Sequence, residues 1–320
     1  MRMRITFLSL IVVVSRCFAA GQETSPTASQ NTSLPSATTA AREVSKPLPE
    51  LSVDAEGNVS PEQIRALIRK VAEKDLENDK KQRDYTYLER EEEHSLDGKG
   101  QVKSTESHTR EVVMIYDKQV ERLIAKNDKP LSSKDAAKEE ERIQKIMDKR
   151  AHEAEEERKK RLAKEEKDRE EGRKFETEIA DAYNFRLVGI EQLDGRDTYV
   201  VDADPRPRFQ PHFKEAKFLP KFRFRAWIDK AETQLVKVNA ECTDTVSWGL
   251  FLARLHKGST FVYEATRVND EVWLPKHLAV KLDARVALLK HFNMDMDITY
   301  RDYKKFRTDA KIVGMGEVRE

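Results

Sequence analysis

Cysteine is nearly absent from this chain: Cys17 and Cys242 are the only two in 320 residues. The pair excludes a disulfide framework and every thiolate metal site that needs C-x-x-C spacing. Also missing are G-x-S-x-G, H-E-x-x-H, a P-loop and the dinucleotide glycine fingerprint, and the seven histidines stand at no ligand spacing. Carboxylates are too numerous for a catalytic pair to be picked by spacing. The sequence therefore leads us to expect no enzyme, no metal and no cofactor. A one-sided charge is lacking too, since 59 Lys and Arg meet 58 Asp and Glu, so any electrostatic partner must be recognised locally.

Long hydrophobic runs are also missing. The longest, Ile5 to Val14, is too short to span a bilayer. It follows Arg2 and Arg4 and precedes Ala19 and Ala20, the order of an export signal, so residues 1–20 read as a signal peptide and the protein as exported to the periplasm or cell envelope. Arg16 is unusual just before a cleavage site, which leaves open a retained anchor. Residues 21–58, rich in Ser, Thr, Ala and Pro, cannot bury enough surface to offset chain ordering and read as a disordered tether.

What the chain does contain is organised by periodicity. Ser60 as cap and Pro61 at the first position start a helix with Ile64, Leu67, Ile68, Val71 and Leu76 on one face. Extended runs follow around Asp97-Gly98-Lys99-Gly100 and end at Asn127-Asp128. Residues 132–183, dominated by Glu, Lys and Arg with opposite charges three and four apart, read as a charged helical insertion. If unbroken over 133–172, it would reach about 60 Å at about 1.5 Å per residue. Its broken apolar stripe, Ile143, Ile146, Met147 and Leu162, favours a solvated spacer over a partner-binding coiled coil.

From Phe185 the chain alternates with period two, with turn signals at Asp194-Gly195, Lys257-Gly258 and Asn269-Asp270. The clearest strand sets Phe292, Met294, Met296, Ile298 and Tyr300 against polar neighbours. In "KFRFRAWIDKAETQLVKVNAEC" the strand pair puts Phe222, Phe224, Ala226 and Ile228 on one side and Arg223, Arg225 and Trp227 on the other. The stretch before it interleaves basic and aromatic residues. Arg206, Arg208, Lys214, Lys217, Arg223 and Arg225 form a candidate rim for anionic headgroups, while the plainer reading is a loop whose phenylalanines cap the sheet. No nucleic-acid partner is expected of an exported chain. Trp227, Trp248 and Trp273 read as packing anchors.

The succession "GRDTYVVDADPR", "FRAWIDKAETQLVKVNA", "VWLPKHLAV" and "YRDYKKFRTDAKI" resembles the LolA-like superfamily of exported proteins, which includes Lol-type lipoprotein carriers and RseB-type sensor domains. The resemblance implies an α+β fold over 59–320, a strongly curved antiparallel sheet or unclosed β-barrel covered by helices. It implies a concave apolar interior of Phe222, Phe224, Ile228, Val236, Val238, Phe261, Tyr263, Leu278, Val280, Met294, Met296 and Ile298, and as partner a lipid or acylated protein. The competing expectation is an envelope scaffold whose half-barrel is filled by its own helix, with the charged helix reaching a protein partner.

Overall fold

The computed structural model describes residues 51, 59–116, 118–212, 214–248, 253–286 and 290–306. The expected signal segment and all of the tether except Leu51 lie outside them. Helix α1 spans Pro61–Gln82, and the Ser60 side chain accepts from the Gln63 N–H at 3.2 Å, as the capping pattern requires. Strands β1 (Tyr85–Leu96), β2 (Val102–Ile115), β3 (Lys118–Lys126) and the two-residue β4 (Lys129–Pro130) form a meander. The first turn is held by the Asp97 carboxylate, which accepts from the Lys99 and Gln101 N–H groups, and by Gly100 at φ 76°, a conformation glycine adopts without penalty.

Two helices follow, α2 (Ser133–Ala151) and α3 (Glu155–Ala182). The expected single rod is thus broken at His152–Ala154, and the break has a visible cause. Glu153 accepts from Arg150, three residues back, at 3.1 Å and from Arg161, eight residues on, at 2.9 Å; the second contact is one that a straight helix, rising about 12 Å over eight residues, would pull apart. The solvated faces carry the expected ion pairs, such as Glu141–Lys145 and Glu170–Lys174.

Nine more strands complete the sheet: β5 (Tyr183–Leu193), β6 (Arg196–Pro205), β7 (Phe222–Asp229), β8 (Leu235–Cys242), β9 (Val246–Trp248), β10 (Ala253–Leu255), β11 (Thr260–Val268), β12 (Val272–Val286) and β13 (Lys290–Lys305). Their order is β4-β3-β2-β1-β13-β12-β11-β8-β7-β6-β5, with the β9–β10 hairpin attached to β12. Every pairing is antiparallel and the sheet does not close. It curves enough that Tyr263 on β11 and Tyr303 on β13 pack on one central cluster with β12 between them.

The loop of basic and aromatic residues folds inward as the plainer reading expected. A short 3-10 helix, Lys214–Lys221, buries Ala216 and Leu219 with Phe175 of α3 and Tyr183 of β5, and the Tyr183 hydroxyl donates to the Leu219 carbonyl at 2.5 Å. Helix α1 packs Ile64, Leu67 and Val71 on Val201 and Ile228. Cys242 is buried and unpaired, and burial pushes its thiol up to about 11.

At the β3 edge, α2 substitutes for a missing strand. The Leu123 N–H donates to the Glu139 carboxylate at 2.8 Å, and the Glu121 carbonyl accepts from Arg142, so two edge groups are satisfied by side chains. Replacing both with alanine is expected to cost little stability, about 1 kcal/mol. It should make the protein self-associate as concentration rises, read by sedimentation velocity.

Candidate ligand-binding face

Period-two alternation decides which side chains meet, because directly paired residues of neighbouring strands share a face. The β7–β8 register sets Phe222 against Cys242, Phe224 against Ala240 and Ala226 against Val238. Across the next pairings Val238 meets Tyr263 and Ala240 meets Phe261, then Tyr263 meets Leu278 and Phe261 meets Val280. Leu278 in turn opposes Ile298, Val280 opposes Met296, and Leu282 opposes Met294. One apolar band therefore runs over five strands from β7 to β13, buried throughout except at the partly exposed Phe224, Ala226 and Tyr263.

Of the expected interior residues, ten fall on this band or on its contacts: Phe222, Phe224, Val238, Phe261, Tyr263, Leu278, Val280, Met294, Met296 and Ile298. Two do not. Ile228 belongs to the neighbouring cluster under α1. A β-bulge beyond Trp227 pairs Leu235, not Val236, with Ile228, and Val236 packs with Ala265 and Trp273. Strict alternation cannot reveal a bulge, because one extra residue reverses every face after it.

The expected rim residues are placed differently from one another. Arg223 and Arg225 lie on the opposite face from Phe222 and Phe224, where they pair with Glu241 at 2.8 Å and Asp202 at 2.6 Å. Arg206 is half-buried, Arg208 and Lys217 are exposed, and Lys214 opens the short helix.

Sequence reasoning passed over the polar groups of this same face. On β1, Glu89, Glu91 and Glu93 oppose Tyr300, Ile298 and Met296 directly, so an acidic row runs beside the apolar one. On β2, Arg110, His108 and Glu106 stand opposite those three acids in turn. Arg110 reaches Glu91 at 2.6 Å and Glu89 at 3.4 Å. Burial raises the Glu93 carboxyl, and the neighbouring Glu91 and Glu106 charges raise it further. The signal was the second face of "YLEREEEHS", legible only once its partner strand is known.

From the helix side, α1 is fastened by the amides of Asn78 and Gln82, the second donating to the Trp273 carbonyl at 3.0 Å, and by Lys81, which donates to the Glu271 carbonyl at 3.0 Å. Asn78 donates to the Trp273 carbonyl at 2.7 Å and accepts the Trp273 N–H at 2.8 Å, much as a neighbouring strand would. One turn earlier, Asp75 meets the Gln234 amide at 3.3 Å and lies close enough to Tyr263 for its charge to act there. Burial, and next the charge of Asp79, push the Asp75 carboxyl from 3.8 to about 7.

Comparison with known proteins adds names at low identity and loose superposition. Neither a protein-family model nor a curated protein matches the chain. Among solved structures it is similar to a domain described as outer membrane lipoprotein-sorting from Vibrio parahaemolyticus, with 13% identity, a TM-score of 0.31, and 76% of this chain and 95% of that one covered. It is also similar to a LolA superfamily protein from Nitrosomonas europaea, with 10% identity, a TM-score of 0.25, and coverage of 75% and 93%. The third is MucB in complex with MucA(peri), at 9% identity, TM-score 0.20 and coverage of 74% and 100%. Superpositions this loose support no claim about the chain, whose face is described by its own strand register.

Two outcomes follow. Replacing Asn78 with alanine strands the Trp273 N–H, while the Trp273 carbonyl keeps the Gln82 amide at 3.0 Å, and the urea midpoint should fall by the equivalent of about 1–3 kcal/mol. For Asp75, folding raises the carboxyl, so its contribution to stability is full below about 4 and is lost as pH rises towards about 7. The wild-type urea midpoint should therefore drop between pH 5 and pH 8 by more than that of Asp75→Asn.

Proposed function

We propose that this protein binds a lipid or lipoprotein acyl chain on the concave side of its open sheet, acting without catalysis as a carrier or sensor in the cell envelope. The observation that carries the reading is the composition of the central band. Among the described hydrophobic residues that form it or pack on it, only Phe218, on the short 3-10 helix, comes from outside the sheet, so α1, α2 and α3 add none of their own. Met294 and Met296 give the floor adaptable side chains suited to flexible tails. Affinity would come from buried tail area, at about 25 cal/mol per Å² before ordering costs, and would grow with chain length.

A second reading, an envelope scaffold with a self-filled half-barrel, is favoured by the near-complete burial of the same residues, with Met296 at 7% exposure and Val280 at 1%. In that reading the α2–α3 arm is the working surface, reaching a protein partner.

Native mass spectrometry of the protein purified gently from envelope fractions separates the two. A stoichiometric lipid or acylated peptide that disappears in Met296→Arg supports the carrier or sensor. A bare mass that also refuses added lipid, with Met296→Arg lowering only stability, moves the assignment to the scaffold.

A further inference from the structure

The two ends of the sheet handle their charges differently. At the end where β7 stops and β12 starts, cations are matched to acids: Arg196 pairs with Asp229 at 2.6 Å and Glu232 at 3.0 Å, Arg267 with Glu232 and Asp270, Lys276 with Asp194 at 2.9 Å, and Lys305 with Glu271 at 2.7 Å. The opposite end carries the β6–β7 loop and the β10–β11 turn. They meet there because the Gly258 N–H donates to the Cys242 carbonyl and Cys242 opposes Phe222. Arg206, Arg208 and Lys217 of that loop make no ion pair and no side-chain hydrogen bond, and Lys257 of the turn makes none either. The described acids of this end are already engaged: Asp244 by Lys221, Glu241 by Arg223, Asp202 by Arg225 and Asp283 by the His256 ring at 3.1 Å, while the charge of Asp204 acts on Arg223. Along residues 206–221, Arg206, Arg208, Lys214, Lys217 and Lys221 stand against the single acid Glu215. Unmatched positive charge therefore collects at this end.

The loop is pinned so as to present this charge. The Arg206 N–H donates to the Ala182 carbonyl at 2.8 Å, the His212 N–H donates to the buried Glu178 carboxylate at 2.6 Å, and the short helix is seated through Ala216 and Leu219. Arg208 is exposed and keeps a left-handed backbone at φ 63°, uncommon for a long side chain. The described aromatic residues point the other way: Phe209 packs on the cluster of Phe175 and Tyr183, and Phe218 packs on the central band. Among its described residues the loop exposes no large apolar side chain. A protein partner is held mainly by desolvated aromatic and arginine anchors seated in pockets, whereas an anionic bilayer surface attracts long, solvated basic side chains by charge alone.

We infer that this end of the sheet is a docking surface for an anionic lipid bilayer, with Arg206, Arg208, Lys217 and Lys257 meeting the phosphate headgroups. Docking sets Phe218, the neighbour of Lys217 and the one described residue from outside the sheet on the apolar band, beside the membrane. The inference goes beyond the acyl-chain reading and does not require it, since an envelope scaffold would use the same surface to sit on its membrane.

The test is flotation of the full-length protein with vesicles of phosphatidylcholine alone, which set the baseline, and of phosphatidylcholine with one part in three of phosphatidylglycerol. At about 0.1 M salt the anionic vesicles should bind at least tenfold tighter than the baseline, and the preference should shrink at about 0.5 M, where charge is screened over a shorter range. Each basic group near the surface contributes roughly fivefold, so Arg206→Gln/Arg208→Gln/Lys217→Gln should lose most of the preference, while Arg206→Lys/Arg208→Lys keeps it. Lys149→Gln/Lys159→Gln/Lys164→Gln, which removes the same charge from exposed positions on α2 and α3, should leave it within threefold. No anionic preference in the wild type, an unchanged preference in the loop variant, or an equal loss in the helix variant overturns the inference. Release from the vesicles by polyglutamate at a charge concentration below that of the lipid makes an acidic protein the partner and overturns the bilayer assignment. Native mass spectrometry reads acyl binding separately, so a failure to dock leaves the acyl-chain reading standing, and a bare mass leaves docking standing.

Discussion

The pairing of β1 with β13 holds the architecture together. Every other junction joins hairpin neighbours or bridges the short β9–β10 excursion, but this one brings the first long strand against the last, over ten registered residue pairs from Tyr85–Lys305 to Ser95–Met294. Without it the sheet would separate into a four-stranded polar meander and a larger apolar one. Closing so long a loop is entropically costly, and the burial of Tyr300, Ile298, Met296 and Met294 is what compensates.

The same junction creates the chemistry of the concave face. β13 brings methionine and isoleucine, β1 brings glutamates, and the register lays one row beside the other. Glu89, Glu91 and Glu93 line the edge of the inner apolar band, while Arg223 and Arg225 pair with Glu241 and Asp202 outside. Helix α1 adds Asp75 to the inner set and is positioned by the Asn78 clamp on Trp273.

Three features that oppose simple patterning have local physical causes. The charged helix breaks where Glu153 gains Arg161, eight residues on, by leaving the axis. The β7–β8 register slips because a bulge admits one extra residue beside Trp227. The aromatic loop turns inward because Leu219, Ala216 and Phe175 bury one another, leaving the exposed Lys217 in water.

What the sequence determined on its own is everything of short range. The Ser60-Pro61 helix start, the turns at Asp97-Gly98, Asp194-Gly195 and Asn269-Asp270, the two faces of β7 and β13 and the solvated character of 132–183 follow from capping, backbone preference and periodicity within a few residues. The tertiary structure alone decided which strands adjoin. Interstrand register depends on contacts separated by up to 220 residues, such as Tyr85 with Lys305. A glutamate on β1 carries no mark of whether its neighbour will be water, an arginine or a methionine. That assignment, and with it the row of glutamates beside the apolar band, arises only when β1 meets β13.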